Sequence, residues 1–261
     1  MKEIVKTVLA ITYAATSSVA RKKPCRIVMY YHSVKKQDIG SFEKQMAYLA
    51  SNCKVVKASE ILTASMDGVN PIAAITFDDA FVSVFENALP VLKKHSLPAS
   101  IFIPTGNLGQ PPRWNIPENS PDKNDIVMNE KQLIEANKYG FEILSHTISH
   151  PILTELNDNT LKAELSNSKL ALEKILGYEV CGISYPHGAY NSRVCNAARR
   201  AGYRLGFTIE PFIVNTSADT MQIGRVAVSL KDSLFKFKLK VGGAYQIVGS
   251  VMTIKRKLLR Y

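Results

Sequence analysis

The chain has 261 residues, of which 46% are hydrophobic, with 33 lysines and arginines against 22 aspartates and glutamates, a formal net charge of +11. This composition excludes a disordered chain, and no run of about 18 apolar residues is present that could form a transmembrane helix. The positive charge lies at the two ends, because residues 1–36 carry +7, residues 225–261 carry +8 and the middle carries −4. This distribution argues against a uniformly basic, nucleic-acid-binding protein.

The first segment, residues 1–23, combines an apolar helical face with cations. Four apolar residues share one face at helical spacing: Ile4, Val8, Ile11 and Ala15. The cationic run Arg21–Lys22–Lys23 follows, so the segment fits either a helix on an anionic membrane surface or a helix packed on the domain. We expect a protein peripheral to the membrane, at its cytoplasmic face. The alternative is export through a weak N-terminal signal, whose apolar run is interrupted by polar residues.

Residues 24–228 alternate short β-rich runs with helical stretches, which indicates parallel strands joined by crossover helices. The predicted strands are Arg26–Tyr31, Ile72–Phe77, Ala99–Pro104, Phe141–Ser145, Gly182–Tyr185, Leu205–Ile209 and Gln222–Val228. The predicted helices are Phe42–Ser51, Val82–Lys94, Glu130–Tyr139, Thr160–Leu176 and Arg193–Ala201. About seven strands over this length indicate one α/β barrel domain, whose chemistry is expected where the strands end.

Four cysteines are scattered along the chain without C-x-x-C spacing: Cys25, Cys53, Cys181 and Cys195. A cysteine-based zinc site and a dense disulfide framework are therefore not indicated. We expect buried, reduced thiols.

Two predicted strand ends carry unusual polar residues. The strand at 72–77 runs directly into Asp78 and Asp79, an adjacent pair that is costly beside a core unless a cation or a proton relieves the repulsion. The strand at 141–145 is followed by His146 and His150, whose spacing of four can present both rings to one metal ion. Solvated aspartates and unrelated loop histidines are the alternatives. The chain has only five histidines, and His32, His146, His150 and His187 all fall at predicted strand ends.

A third strand end reads Ser184-Tyr185-Pro186-His187-Gly188, where proline and glycine would by themselves indicate only a turn. Together with the opening strand Met29-Tyr30-Tyr31-His32-Ser33-Val34, these elements resemble, in order, those of the polysaccharide deacetylase family with a NodB-like domain. The resemblance implies a single distorted (β/α) barrel of about seven parallel strands. It also implies metal-dependent removal of N-acetyl or O-acetyl groups from sugars.

Carried over residue by residue, the resemblance implies that Asp79, His146 and His150 bind a divalent metal and that Asp78 is the general base. Tyr185 and Pro186 would line the groove, where a nearby backbone N–H holds the oxyanion. Two imidazoles and one carboxylate leave an open coordination position, as in catalytic zinc sites, although Co²⁺ or Ni²⁺ would also suit these ligands.

Two departures from the family pattern concern the acid and an arginine. The family's acid histidine in a Leu-x-His motif is missing, because the chain has no histidine after His187, so His187 and His32 stay the candidates for the acid. The family's arginine before Tyr-Pro is replaced by Ser184. We hypothesise that Arg225 takes its place and pairs with Asp78, as in the branch of the family linked to exopolysaccharide and lipopolysaccharide synthesis.

The last segment, residues 229–261, alternates apolar and basic residues over 234–240 and ends in a basic cluster. We interpret the alternation as an amphipathic strand or a surface-lying segment, and the cluster as a second contact with an anionic membrane, with a solvated tail as the alternative. The expected partner of the whole protein is an acetylated glycan of the bacterial cell surface or its lipid-linked precursor, and no nucleic acid. The alternatives are a catalytically impaired carbohydrate-binding protein of the same fold and a deformylase or amidase.

Overall fold

The computed structural model describes residues 3–17, 25–66, 68 and 70–258. The described strands are β1 (Arg26–Tyr31), β2 (Lys54–Val56), β3 (Ile72–Phe77), β4 (Ala99–Ile103), β5 (Phe141–Ser145), β6 (Gly182–Ser184), β7 (Leu205–Phe207) and β8 (Val226–Ala227). The described α-helices are α1 (Glu3–Ser17), α2 (Ile39–Asn52), α3 (Leu89–Lys94), α4 (Glu130–Lys138), α5 (Asp158–Leu176), α6 (Ser192–Arg200), α7 (Leu234–Val241) and α8 (Gln246–Leu258).

The strands form one parallel sheet in the order β7-β6-β5-β4-β3-β1-β8, with β2 paired to the first half of β3. Every residue of β3 and β4 is buried, as expected for parallel strands covered on both faces. The sheet curls, and helices cover its outer side. The distorted (β/α) barrel expected from the sequence is therefore confirmed.

The segment 222–228 joins the two edges of the curled sheet. Ile223 pairs with β7, because its N–H donates to Gly206 O at 2.8 Å and its carbonyl accepts from Thr208 N–H at 2.8 Å. Three residues later the chain pairs with β1 through Val226 and Ala227. Only these two residues form a regular strand, so the single strand predicted over 222–228 is wrong in its first half. Arg225 lies between the two pairings.

The helix predicted over 82–94 is divided into a π-helical segment at Val84–Ala88 and α3. Pro90 explains the division, because a proline cannot donate the backbone hydrogen bond that continues an α-helix. The expectation of buried thiols is only partly right. All four cysteines carry reduced thiols, but only Cys195 is fully buried, and Cys25, Cys53 and Cys181 are half-buried.

The segment 234–240, whose alternation favours an amphipathic strand or a surface-lying segment, forms helix α7, so the strand interpretation is wrong. The Ser233 side chain caps it by accepting from the N–H of Lys236. Phe237, Lys240 and Val241 are buried at helical spacing, and the Lys240 ammonium donates to Asp232 at 2.5 Å and to Ala227 O at 2.6 Å. Because these two acceptors satisfy its ammonium, Lys240 can be buried on the face of the helix that packs against the core. Hydrophobicity alone does not predict a lysine at such a position.

Helix α1 packs on α7 and α8 through the face that carries Thr7, Ala10 and Tyr13. The Thr7 and Tyr245 hydroxyls lie 3.0 Å apart, Gln246 donates to the Tyr13 hydroxyl at 2.7 Å, and Ala10 is fully buried. The face with Ile4, Val8 and Ile11 points to solvent, with 76%, 55% and 40% exposure. The cations Arg21–Lys22–Lys23 and the residues 259–261 lie outside the described residues. Among the helices of the described chain, none has the length and apolarity that crossing a bilayer requires.

Candidate active site

A cavity of about 320 Å³ opens at the carboxyl ends of the barrel strands. Its strand-end lining comprises Tyr30, His32, Asp78, Asp79, His146, His150, Tyr185, His187 and Ile209. The rest of the lining comes from the connection between β4 and α4, namely Trp114, Asn115, Ile116, Pro117, Ser120 and Asp122. All the residues singled out in the sequence at strand ends therefore meet in one place, apart from Pro186 and Arg225, which lie against it.

Asp79, His146 and His150 form a buried triad within the cavity. Asp79 Oδ1 lies 3.7 Å from His146 Nε2 and 3.5 Å from His150 Nε2. Two ligands that each lie 2.0–2.2 Å from one ion at a tetrahedral angle are about 3.3–3.6 Å apart. Asp79 and His150 have left-handed backbones, with φ of 68° and 58°, which non-glycine residues adopt at a cost. The geometry is thus already close to that of a coordinated cation.

The chemistry of these three donors also fits a divalent cation. Burial, reinforced by the charges of Asp78 and Asp122, raises the pKa of Asp79 well above its usual value, and Asp79 Oδ1 is buried without a hydrogen-bond partner. Burial lowers the pKa of His146 to about 4 and, with the nearby His146 and His187, that of His150 to about 2. Both imidazoles are therefore neutral at pH 7, the form that coordinates metals. A bound cation would relieve the repulsion that Asp79 otherwise experiences.

The Nδ1–H of His146 donates to Ser184 O at 2.9 Å, which leaves Nε2 as the lone-pair atom that faces Asp79. This assignment of the tautomer follows from the acceptor, since a carbonyl oxygen can only accept. The first imidazole is therefore held in the orientation that a ligand needs.

Arg225 and Asp78 form a bidentate ion pair beneath the triad. Nη1 donates to Asp78 Oδ1 at 2.7 Å and Nη2 to Oδ2 at 2.8 Å, and Arg225 is fully buried. Burial opposes ionisation of Asp78, but the charge of Arg225, together with His146, Arg225's hydrogen bonds and His32, lowers the pKa of Asp78 to about 2. The adjacent carboxyls Asp78 and Asp79 thus have pKa values displaced in opposite directions.

The remaining donors of the Arg225 guanidinium are also satisfied. Nε donates to Thr208 O at 3.0 Å, Nη1 to Thr76 Oγ1 at 3.3 Å and Nη2 to Ser184 Oγ at 2.6 Å, so each of its five N–H groups has an acceptor. The guanidinium lies 4.7 Å from the centroid of the Tyr30 ring and 5.1 Å from that of Phe102. Ser184, where the resemblance implies an arginine, therefore contacts Arg225, which is the residue just before β8.

The element around Tyr185 forms one wall of the cavity. The Tyr185 hydroxyl donates to Met221 O at 2.9 Å and its backbone N–H donates to Phe207 O at 3.2 Å, while Pro186 has no N–H. The next N–H along the chain belongs to His187, whose φ of 57° reverses the backbone direction. The His187 ring lies 4.5 Å from that of His150, and His32 lies on the cavity beside Tyr30, with ring centroids 5.8 Å apart. Both acid candidates are exposed on the cavity.

Sequence reasoning missed several residues of the site. Trp114 stacks on His150, and Asp122 lines the cavity, although both come from a connection without a strand-end signal. Thr76 and Phe102 look like ordinary strand residues in the sequence, yet both contact Arg225. Of these residues, only Trp114 could have been suspected from the sequence, because a single tryptophan in a long loop often contacts a functional site.

The chain is similar to known proteins over most of its length. The family model described as polysaccharide deacetylase matches residues 67–206, more than half of the chain. A Bacillus subtilis (strain 168) protein, YxkH, whose name provisionally assigns it to the polysaccharide deacetylases, is 29% identical over 218 residues, 80% of this chain and 73% of that protein. The poly-β-1,6-N-acetyl-D-glucosamine N-deacetylase of Staphylococcus aureus (strain N315) is 29% identical over 211 residues, 76% of this chain and 69% of that one. The solved structure of the Streptococcus pyogenes deacetylase PplD in complex with acetate matches with a TM-score of 0.71 at 20% identity, over 84% of this chain and 99% of that one.

Proposed function

Because this chain belongs to the polysaccharide deacetylase family, we propose that it is a hydrolase that removes N-acetyl groups from the sugars of a cell-surface polysaccharide. The observation that carries the proposal is the meeting, in one cavity, of two carboxyls with oppositely displaced pKa values and two neutral imidazoles. Such a set provides an ionised base beside three metal ligands. The similarity to the staphylococcal enzyme favours a β-1,6-linked N-acetylglucosamine polymer as the substrate. The wider class of proposed substrates also includes a lipid-linked precursor and O-acetylated sugars.

In the proposed reaction, Asp79 Oδ1 and the Nε2 atoms of His146 and His150 would hold a divalent cation. When bound, the cation would supply Lewis acidity toward the acyl carbonyl and toward the attacking water. Asp78, kept ionised by Arg225, takes the proton from that water. We assign Zn²⁺ as the cation, because the donor set of two imidazoles and one carboxylate suits it, and Co²⁺ or Ni²⁺ as substitutes.

Two other groups complete the proposed reaction. The oxyanion accepts a hydrogen bond from the backbone at Tyr185–Pro186–His187, where we assign the His187 N–H because that of Tyr185 already donates to Phe207 O. The proton for the departing amine comes from His187 or His32, the two imidazoles exposed on the cavity. Acetate and a sugar with a free amine are the products.

The test is acetate release from a β-1,6-linked N-acetylglucosamine oligomer before and after the protein is stripped with a chelator. We expect release to stop on stripping and to return when Zn²⁺, Co²⁺ or Ni²⁺ is added back, because the carboxyl and the two neutral imidazoles of the triad supply no positive charge to polarise the substrate. O-acetylated and N-formylated oligomers are assayed in parallel, so that release of acetate or formate distinguishes N-deacetylation, O-deacetylation and deformylation. An absence of metal-dependent release from all of these glycans would overturn the proposal in favour of a carbohydrate-binding protein of the same fold.

We further propose that the protein is peripheral to a membrane and binds anionic lipid through the outer face of α1. Ile4, Val8 and Ile11 are exposed there, and Phe235 at the start of α7, 60% exposed, lies nearby because Lys236 pairs with Glu3 at 3.1 Å. The two terminal segments, residues 1–23 and 229–261, carry net charges of +4 and +7 and so complement an anionic surface. Apolar side chains with flanking cations are the combination that interfacial helices use.

For this surface we expect co-flotation with vesicles that contain phosphatidylglycerol, weakening as salt is raised. The double variant Ile4→Asp/Val8→Asp should bind these vesicles at least about 10-fold more weakly, because each buried aliphatic side chain contributes about 1.5–3 kcal/mol. Leu170→Asp is the matched control, since Leu170 is 62% exposed on α5, away from α1. Equal binding of both variants, or no binding by the unmodified protein, would overturn the membrane proposal and leave the enzymatic one untouched.

A further inference from the structure

The two imidazoles of the triad are held in different ways. His146 donates its Nδ1–H to Ser184 O, whereas Nδ1 of His150 is buried and has no hydrogen-bond partner among the described residues. Histidines that bind metals almost always donate their second ring N–H to a carboxylate, a carbonyl or water, and this bond fixes the orientation of the ring. Among the described residues, the contacts that restrict the orientation of the His150 imidazole are therefore those of its ring and not a hydrogen bond at Nδ1.

The contacts of the His150 ring are aromatic. The Trp114 indole stacks on it, with ring centroids 4.6 Å apart and an interplanar angle of 29°. The rings of His146 and His187 meet it nearly at right angles, at 4.7 Å and 4.5 Å. The imidazole is thus enclosed by three rings, of which the indole is the largest and the only one that covers it face to face.

Trp114 is itself held by the surrounding structure. Its indole is nearly parallel to the ring of Phe81, at 30° and 6.5 Å, and Phe81 pairs through its backbone with Val127 at the far end of the same connection. Asp125 anchors this end of the connection, because it accepts from Lys35 Nζ at 2.5 Å and from Ser83 Oγ at 2.6 Å. Phe81 and the anchored end of this connection therefore restrict the position of the Trp114 indole.

We propose that Trp114 is a positioning residue for His150. The stacked indole restricts rotation of the His150 ring and keeps its Nε2 directed at the metal position. The hydrogen bond to Ser184 O has the same effect on His146. The inference rests on the proposed function only in so far as His150 is taken as a metal ligand. It gives the connection between β4 and α4 a part in metal affinity, although that connection supplies none of the three ligands.

The test uses the protein stripped of metal and titrated with Co²⁺ alone, followed by calorimetry and by the visible d–d spectrum. We expect Trp114→Leu, which keeps an apolar side chain but removes the ring, to bind Co²⁺ about 10–100-fold more weakly and with an altered spectrum. Trp114→Phe, which keeps a ring to stack, should remain within a few-fold of the unmodified protein. Circular dichroism and thermal melting of the stripped variants serve as the control for folding.

The unmodified protein offers a second readout, because Trp114 is the only tryptophan in the chain. Co²⁺ bound beside His150 should quench nearly all tryptophan fluorescence, with the same affinity that calorimetry gives. Unchanged Co²⁺ affinity and spectrum in a folded Trp114→Leu variant would overturn the inference, as would equal losses in the Leu and Phe variants. A protein that binds Co²⁺ as expected but releases no acetate would overturn the proposed function and leave this inference standing.

Discussion

Arg225→Met is expected to lower the free energy of unfolding by about 3–5 kcal/mol at pH 7, because it leaves a buried carboxylate without its partner. Asp78 would lose both charge-assisted hydrogen bonds, and Thr208 O and Ser184 Oγ would lose their donors. Methionine keeps most of the apolar volume between Tyr30 and Phe102, so the loss reports the charge and not a cavity. Urea denaturation of the metal-free proteins measures it.

The pH dependence of this loss has a definite sign. The pKa of Asp78 is about 2 in the folded protein against 3.8 ordinarily, so the ion pair contributes stability that is present above about pH 4 and is lost as pH falls toward 2. In the variant, burial without a cation raises the pKa of Asp78 above its ordinary value, so the difference between the two proteins should shrink as pH falls from that raised pKa toward 2. A difference that grew on acidification would contradict the assignment.

A matched control for Arg225→Met is Arg204→Met, since Arg204 Nη1 donates to both carboxylate oxygens of Glu179 at 2.6 Å, but at the surface. The surface pair is expected to contribute little to stability, because solvent screens its charges. If the two substitutions cost the same, the buried pair does not stabilise the barrel as we describe. The double variant Arg225→Met/Asp78→Leu should recover much of the loss, because replacing both members of a buried pair removes the uncompensated charge.

Asp78→Asn is expected to lower kcat for acetate release about 10²–10⁴-fold, the contribution typical of a general base. The amide keeps the shape of the carboxyl but cannot take a proton, and Asp79, His146 and His150 are untouched. Metal content, measured on the purified protein, should therefore stay at the level of the unmodified enzyme.

The control for this variant is Asp158→Asn, the same change at an exposed ion pair with Arg193. It should leave kcat unchanged. A rate within 10-fold of normal in Asp78→Asn would assign the base to another group. If Asp78→Asn lost both its bound metal and its activity, Asp78 would be a metal ligand. Asp79 would then be the candidate for the general base.

The sequence was most informative at the centre of the barrel. Strands β1, β3 and β5 have the bounds that were predicted from their apolar runs. The prediction succeeds because a strand covered on both faces is a nearly continuous hydrophobic run in the sequence. The carboxyl ends of parallel strands meet at one rim, so the positions of polar residues along the chain were enough to assign them to a common site.

Sequence reasoning was least informative where a residue depends on distant partners. Strand β2, Lys54–Val56, has only three residues and begins with an exposed lysine, so no alternation marks it. In helix α7, Lys240 is buried where its ammonium donates to Asp232 and to Ala227 O, two acceptors that the alternation of apolar and basic residues over 234–240 does not reveal. Trp114 gains its contact with His150 from the path of a long connection, which local propensity does not specify.

The joining of the two sheet edges by residues 222–228 has a consequence for biosynthesis. Asp78 lies in the first third of the chain, but the guanidinium that keeps it ionised arrives about 150 residues later, in the segment that also pairs with β7 and β1. A nascent chain that has emerged only as far as β7 has Asp79, His146 and His150, but Asp78 still lacks its partner. Catalytic competence should therefore appear only when the last strand docks, and a fragment that ends before residue 222 should lack it.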